Sequence, residues 1–162
     1  MAITYTPIAT QTLGSAAAIV TFSSISGIYT DLRLVAFYQG TSTGLNIYPN
    51  SDFGSNKSWT SLRGTGSAAE SARGSSIAIQ DYRTTATNSA GEFTVSKLDF
   101  MNYSNTTTNK TVLVRRDISS AYAETLVNLY QSTSAITSLG IYSANGNFAV
   151  GSTFTIYGIK AA

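Results

Sequence analysis

The sequence predicts an all-β protein: an antiparallel β-sandwich, jelly-roll-like, of about ten strands, forming a single domain over residues 1–162. Short apolar or alternating runs recur along the whole chain, and almost every gap between them holds Gly, Asn or Ser. No segment with a helical period exceeds about 12 residues. Charged residues make up only 11% of the chain, against about 25% in ordinary soluble domains. Solubility therefore falls to Ser, Thr and Asn, a bias typical of β-rich surfaces whose turns need small polar groups.

In chain order the runs are Ile3–Thr12, Ala18–Phe22, Asp31–Gln39, Leu45–Tyr48, Lys57–Arg63, Ser76–Arg83, Glu92–Asn102, Lys110–Arg116, Thr125–Tyr130, Ala135–Tyr142 and Thr153–Lys160. Thr153–Lys160 alternates, with Phe154 and Ile156 on one face and Thr153 and Thr155 on the other, so it is half buried. Leu32–Tyr38 becomes apolar on both faces towards its end, which suits a central strand or one covered by a partner chain. In Phe93–Phe100 the apolar phase slips by one residue between Val95 and Leu98, and a bulge near Ser96–Lys97 would reconcile the halves. Ser119–Tyr130 is the nearest helical candidate, but Leu126, Val127 and Leu129 fit a strand at least as well. Strands at both ends of the chain invite pairing of the first with the last. Gly64–Ser67 and Gly74–Ser76 resemble phosphate-cradling loops without the Lys and following helix those loops need, and read as flexible connections.

Several function classes are excluded by what the chain lacks. With no His and no Cys, the common general base, the thiol nucleophile and nearly every zinc, copper or haem site are missing, and disulfides are ruled out. Eight carboxylates remain, and none is spaced as a recognisable catalytic pair; two could still meet in space as a glycosidase acid and nucleophile. The formal net charge of +2 is small and scattered, and Arg115-Arg116, the only adjacent basic pair, is followed at once by Asp117. Nucleic-acid binding is not expected. The start MAITYTPIATQ has neither a basic nor an apolar signal region, and no run approaches about 18 apolar residues, so neither a signal peptide nor membrane insertion is expected. Asn50–Asn56 alternates oxygen side chains around a Gly, as a Ca²⁺ loop does, but no bidentate Glu follows and the same residues make an ordinary tight turn. No catalytic, cofactor or metal residue is assigned.

Aromatic and amide side chains are the remaining functional candidates. Trp59, the single Trp, sits between polar neighbours and with Tyr48, Tyr82 or Tyr103 could build a sugar-stacking platform; the plainer reading places it in the core or against another subunit. The stretch MNYSNTTTNKTV holds a polar connection, Tyr103–Asn109, displayed between two long arms. Trp59, Tyr103, Asn105 and Asn109 are thus the candidate surface or partner-contact residues. Asn56, Asn102, Asn105 and Asn109 begin Asn-X-Ser/Thr triplets that read as turn chemistry before glycosylation.

Three strings, TYTPIATQTLGSAAAIVTFSSI, MNYSNTTTNKTVLVRR and FAVGSTFTIYGIKAA, look like a family of small structural proteins of tailed bacteriophages, especially phages of marine and freshwater bacteria including cyanobacteria. The resemblance extends to Gln131–Ser138 and spans nearly the whole chain. It implies a virion component made in a bacterial cytoplasm and exposed on head or tail, as capsid decoration or fibre, without catalytic residues or cofactors. Its implied partners are other capsid or tail proteins, further copies of itself and, in a receptor-binding version, a host surface glycan.

Overall fold

The computed structural model describes residues 5–83 and 91–160, with backbone alone at 41–43. Among them are twelve strands and no helix: β1 Tyr5–Thr12, β2 Ile19–Phe22, β3 Asp31–Tyr38, β4 Gly40–Pro49, β5 Lys57–Gly64, β6 Ala69–Ser76, β7 Ile79–Gln80, β8 Thr94–Phe100, β9 Lys110–Ile118, β10 Tyr122–Tyr130, β11 Leu139–Phe148 and β12 Thr153–Ile159. They form two antiparallel sheets, a large one ordered β1-β12-β3-β8-β9-β10-β5-β6 and a small one ordered β2-β11-β4-β7.

The two hairpins β5–β6 and β9–β10 explain this unequal division. Without them, eight strands remain as β1-β12-β3-β8 facing β2-β11-β4-β7, and the chain crosses between sheets at every step except β4 to β7. That is jelly-roll connectivity. Both hairpins continue the large sheet beyond β8, so four strands must cover eight. The ends of the chain pair as expected, β1 against β12 from Tyr5↔Ile159 to Thr12↔Thr153. The ladder shifts register between Pro7 and Ala9, since Pro has no N–H to donate and is tolerated on an edge strand beside a bulge.

Alternation decides what each strand buries. Leu32, Leu34, Ala36 and Tyr38 of β3, Leu98 and Phe100 of β8, Val112 and Val114 of β9, and Phe154 and Ile156 of β12 point inward. There they meet Val20 and Phe22 of β2, Leu45 and Ile47 of β4, and Ile141 of β11 in one continuous cluster. Each such side chain contributes roughly 1.5–3 kcal/mol on burial, which lets a cysteine-free chain hold together by packing.

Some elements differ from expectation. Gly74–Ser76 belongs to β6, paired with β5 from Lys57↔Ser76 to Gly64↔Ala69, so it is strand and not connection. Ser76–Arg83 holds, after the last residue of β6, only the two-residue β7, while β4 and β11 are longer than their apolar runs. β11 begins at Leu139 because Asn50 captures the segment before it, its Oδ1 accepting from Thr137 N at 2.8 Å and Ser138 N at 3.2 Å. Ser119–Tyr130 is strand from Tyr122 onward. The bulge expected near Ser96–Lys97 is not there: β8 pairs without a shift on both sides. Its inward row is Thr94, Ser96, Leu98 and Phe100, and the apolar phase slips only because Ser96 is turned inward to donate its hydroxyl to Asp81. The start of the first run, at Ile3, lies outside the described residues.

Candidate functional site: a lysine-organised loop end and an open sheet face

At one end of the large sheet, Tyr130 of β10 stands between Lys57 of β5 and Lys110 of β9. All three are buried. Each Lys opens its strand and turns its ammonium back into the loop before it. Lys110 Nζ donates to the carbonyls of Asn105 at 2.7 Å, Thr108 at 2.7 Å and Thr133 at 3.3 Å, matching its three N–H bonds. Burial lowers its pKa from the ordinary lysine value. Lys57 Nζ donates to the carbonyls of Asp52 at 2.7 Å and Gly54 at 3.1 Å and lies 3.3 Å from the Asp52 carboxylate.

Asp52 completes that arrangement. It accepts from Asn56 Nδ2 at 2.9 Å, Gly54 N at 2.8 Å and the Tyr130 hydroxyl at 2.9 Å. The Asn56 amide most of all, then Gly54, Tyr130 and Lys57, hold its carboxyl well below the usual range against the opposing effect of burial. Of the Asn50–Asn56 oxygens that resembled a Ca²⁺ loop, those of Asp52 and Gly54 thus face an ammonium ion built into the chain, while Asn50 Oδ1 caps Thr137 and Ser138. Among the described residues no group of three or more His, Cys, Asp and Glu gathers to hold a metal.

The sequence-derived candidates separate here. Tyr103 is fully buried and donates its hydroxyl to the Ser26 carbonyl, so its place as a surface contact is corrected: it is a core residue anchoring the loop from below. Asn105 and Asn109 are exposed. Asn105 Oδ1 accepts from Thr107 N at 2.7 Å and Thr108 N at 2.9 Å, closing the loop's tip on itself. Trp59 lies two residues beyond Lys57 on β5, half-buried and packed against the core. Its indole lies over Gly74 of β6, where an added Cβ would come within 2.9 Å of Cζ2. Neither Tyr48 nor Tyr82 joins it on β5. Tyr48 meets Phe53 and Tyr142, with ring centroids 4.5 and 5.0 Å away, and Tyr82 donates to Asn46 at 3.1 Å.

Four ionisable groups of the inserted hairpins turn inward. Arg116 of β9, Glu124 of β10, Arg63 of β5 and Glu70 of β6 are neighbours in one cross-strand row, alternating in sign. Arg116 and Glu124 have fully buried side chains, as does Asp81, which reaches over the row. Arg116 Nε is 3.8 Å from Asp81 and its NH1 3.9 Å from Glu124, and NH1 donates to the Tyr122 hydroxyl at 2.7 Å. Asp81 also accepts from the Tyr38 hydroxyl at 2.8 Å and from Leu45 N at 2.7 Å, tying the two sheets together. Arg83 joins Arg63 on Glu70. Burial raises the Glu124 carboxyl pKa. Two carboxylates do converge, but around an arginine and with no side-chain surface open to a polysaccharide.

The outer face of the same hairpins has the opposite character. Leu62 of β5 is 61% exposed, Val127 of β10 49% and Leu113 of β9 45%, with Leu129 beside Val127. Leu113 and Val127 are register partners at mid-strand. Phe37 and Val95, also paired, add a second exposed cluster beyond Lys97. Small residues Gly64, Ala69 and Ala123 form a shallow groove of about 610 Å³ between Leu62, Arg115 and Asp117. Two ion pairs lie on this face, Arg33 to Asp99 through two bonds of 2.5 and 3.0 Å and Arg115 to Asp117 at 3.0 Å, and Lys97 beside Arg115 and Arg73 on β6 add positive charge to it. The sequence candidates did not include this surface. Its signal is present in TVLVRR and TLVNLY, where both alternating positions are apolar and neither face is plainly the wet one.

No protein-family model, curated protein or solved structure matches this chain.

Proposed function

We propose that this chain is a non-enzymatic structural protein of a tailed-bacteriophage virion, displayed on head or tail as a decoration, cement or fibre-type component that acts through protein–protein contacts. The observation that carries this reading is the mixed dressing of the inserted hairpins: Arg63, Arg116 and Glu124 are paired on the inner face while Leu62, Leu113 and Val127 are exposed on the outer one. The buried ionisable groups are occupied in ion pairs and loop capping, and apolar contact surface is presented outward. The resemblance of its end strings and polar hairpin to phage structural proteins supplies the setting. Mass spectrometry of purified particles tests the proposal. The chain is expected as a stoichiometric component, in hundreds of copies if it decorates a head and in a few dozen or fewer if it belongs to a tail; its absence from particles overturns the reading.

A second reading is favoured by one observation, the surface cluster of Tyr48, Phe53 and Tyr142, in which Phe53 remains 52% exposed. Aromatic faces beside polar Asn46 and Gln80 are suited to stacking on sugar rings of a host glycan. A glycan array should give a signal that Phe53→Ala abolishes without unfolding if the platform is this cluster, or that Trp59→Ala abolishes if it is the β5 indole. A silent array dismisses both.

A further inference from the structure

Asn145 and Gly146 stand in SANGNF, the last part of β11. In an asparagine followed by glycine, the backbone nitrogen of the second residue can close a five-membered ring on the side-chain carbonyl carbon of the first, with no Cβ in its way. A fold ordinarily suppresses that reaction by holding the nitrogen in a ladder or against the core. At this end of β11 the ladder loosens. Ser143 pairs with Leu45, Asn145 with Ser42 and Phe148 with Gly40, and the register shifts on both sides of Asn145. Gly146 and Asn147 thus stand against a single residue of β4, a bulge. Gly146 has a φ of 73°, in the left-handed region that glycine enters without strain. Asn145, Gly146 and Asn147 are all exposed.

Other asparagines are set differently. Asn102, Asn109 and Asn147 are exposed too, but each precedes a residue sunk in the interior, respectively Tyr103, Lys110 and Phe148. Phe148 N also donates to the Ala17 carbonyl at 2.8 Å. A nitrogen anchored in this way cannot swing towards the side chain before it. Asn50 and Asn105 precede exposed residues, Ser51 and Thr106, yet these carry a Cβ. Each of those two carboxamide oxygens is also engaged by two backbone N–H groups, of Thr137 and Ser138 and of Thr107 and Thr108.

We propose that Asn145 is a site at which the folded chain modifies itself, losing its side-chain amide to attack by the Gly146 nitrogen. The new bond joins Gly146 N to Asn145 Cγ. The bond from Cγ to the carboxamide nitrogen breaks, and ammonia leaves with the proton that Gly146 N gives up. Water then opens the cyclic imide. Opening at Cγ leaves an aspartate; opening at the backbone carbonyl leaves an isoaspartyl linkage, with the main chain running through the former side chain. The balance is one water consumed and one ammonia released, with no change of oxidation state. Each conversion adds a carboxylate that is ionised at neutral pH, so the formal net charge of +2 falls by one. The isoaspartyl form also lengthens the main chain by one atom. In a regular ladder that would upset the pairing, whereas a bulge that already sets two residues against one has room to absorb it. The fold therefore survives both products, and an ageing population of the protein divides into two charge forms at the exposed end of β11.

Peptide mass mapping of the full chain, kept folded near neutral pH for some weeks, tests this. The peptide holding Asn145 is expected to gain about 1 Da, at least about ten-fold faster than any other asparagine reacts. Enzymatic methylation of isoaspartyl groups should label the same peptide, and isoelectric focusing should show a more acidic band growing in step. Asn145→Gln, which would have to close a six-membered ring, should keep both mass and charge constant with an unchanged circular-dichroism spectrum. The wild-type chain unfolded in urea supplies the reference rate, and the folded chain is expected to react within about ten-fold of it, because the bulge leaves the pair mobile. A folded chain slower than that overturns the proposal, since the fold would then be protecting the site. So does a folded chain in which another asparagine converts first. The chemistry needs no partner, so the result stands apart from whether the chain is found in particles.

Discussion

Lys110 is a full positive charge with no exposed surface, and such a charge is tolerated only when its donors are matched. Three carbonyls match them. Lys110→Met keeps the aliphatic stem but strands those acceptors; a loss of about 2 kcal/mol is expected in urea unfolding, with the 101–109 loop losing hydrogen-exchange protection first. Asp52 makes a pH-dependent contribution. Its carboxyl is held low in the fold, so the stability it confers is complete above roughly pH 4, the unfolded carboxylate range, and is lost as the pH falls towards the folded value. Asp52→Asn should lower the urea midpoint near pH 6 by the equivalent of about 1–2 kcal/mol and flatten its decline towards about pH 3. Glu124 has the opposite sign, because burial raises its carboxyl and acid relieves that penalty. At this scale the sequence was legible in part. Asn105 was readable as turn chemistry from its neighbours, whereas the two lysines and Tyr103 were not: nothing local tells whether a strand's first residue turns in or out, and Tyr103 sits in the turn after β8 with its partner, the Ser26 carbonyl, distant in sequence.

Among the elements, β6 shows how far propensity reaches. AESARGSS contains no β-branched or large apolar residue, so its intrinsic preference says little. It is a strand because β5 offers an unpaired edge and Trp59 needs a flat neighbour. Gly74 is that neighbour. Gly74→Val should displace the indole, destabilise by about 1–3 kcal/mol and shift the fluorescence of the single Trp to the red, while Ser71→Val, on the outer face of the same strand, should do neither. In β8 the misleading signal was again polar. Ser96 occupies an inward position that alternation reserves for apolar residues, and its partner Asp81 comes from a segment 15 residues away that no local pattern connects to it.

For the whole molecule, the jelly roll could be read from turn punctuation and from strands at both chain ends, since these depend on local composition. The large sheet's extra strands could not, because sheet membership is decided by pairings between distant segments. The charged row behind those strands is the part of the design most exposed to single changes. Arg116→Met leaves Asp81 and Glu124 buried without their common cation and should cost about 3–5 kcal/mol in urea unfolding. Adding Asp81→Asn and Glu124→Gln to that variant should recover part of the loss, since the penalty lies mainly in the stranded charges. One further consequence follows from β1 lying beside β12 with Tyr5 opposite Ile159. Because the two strands are antiparallel, both residues sit at the same end of the ladder, and tension drawn through them opens its rungs one after another, like a zip. A load pressed across the broad sheet is spread over eight strands at once. The protein is therefore mechanically anisotropic, stiff under compression of its face and yielding where its two tails are pulled apart.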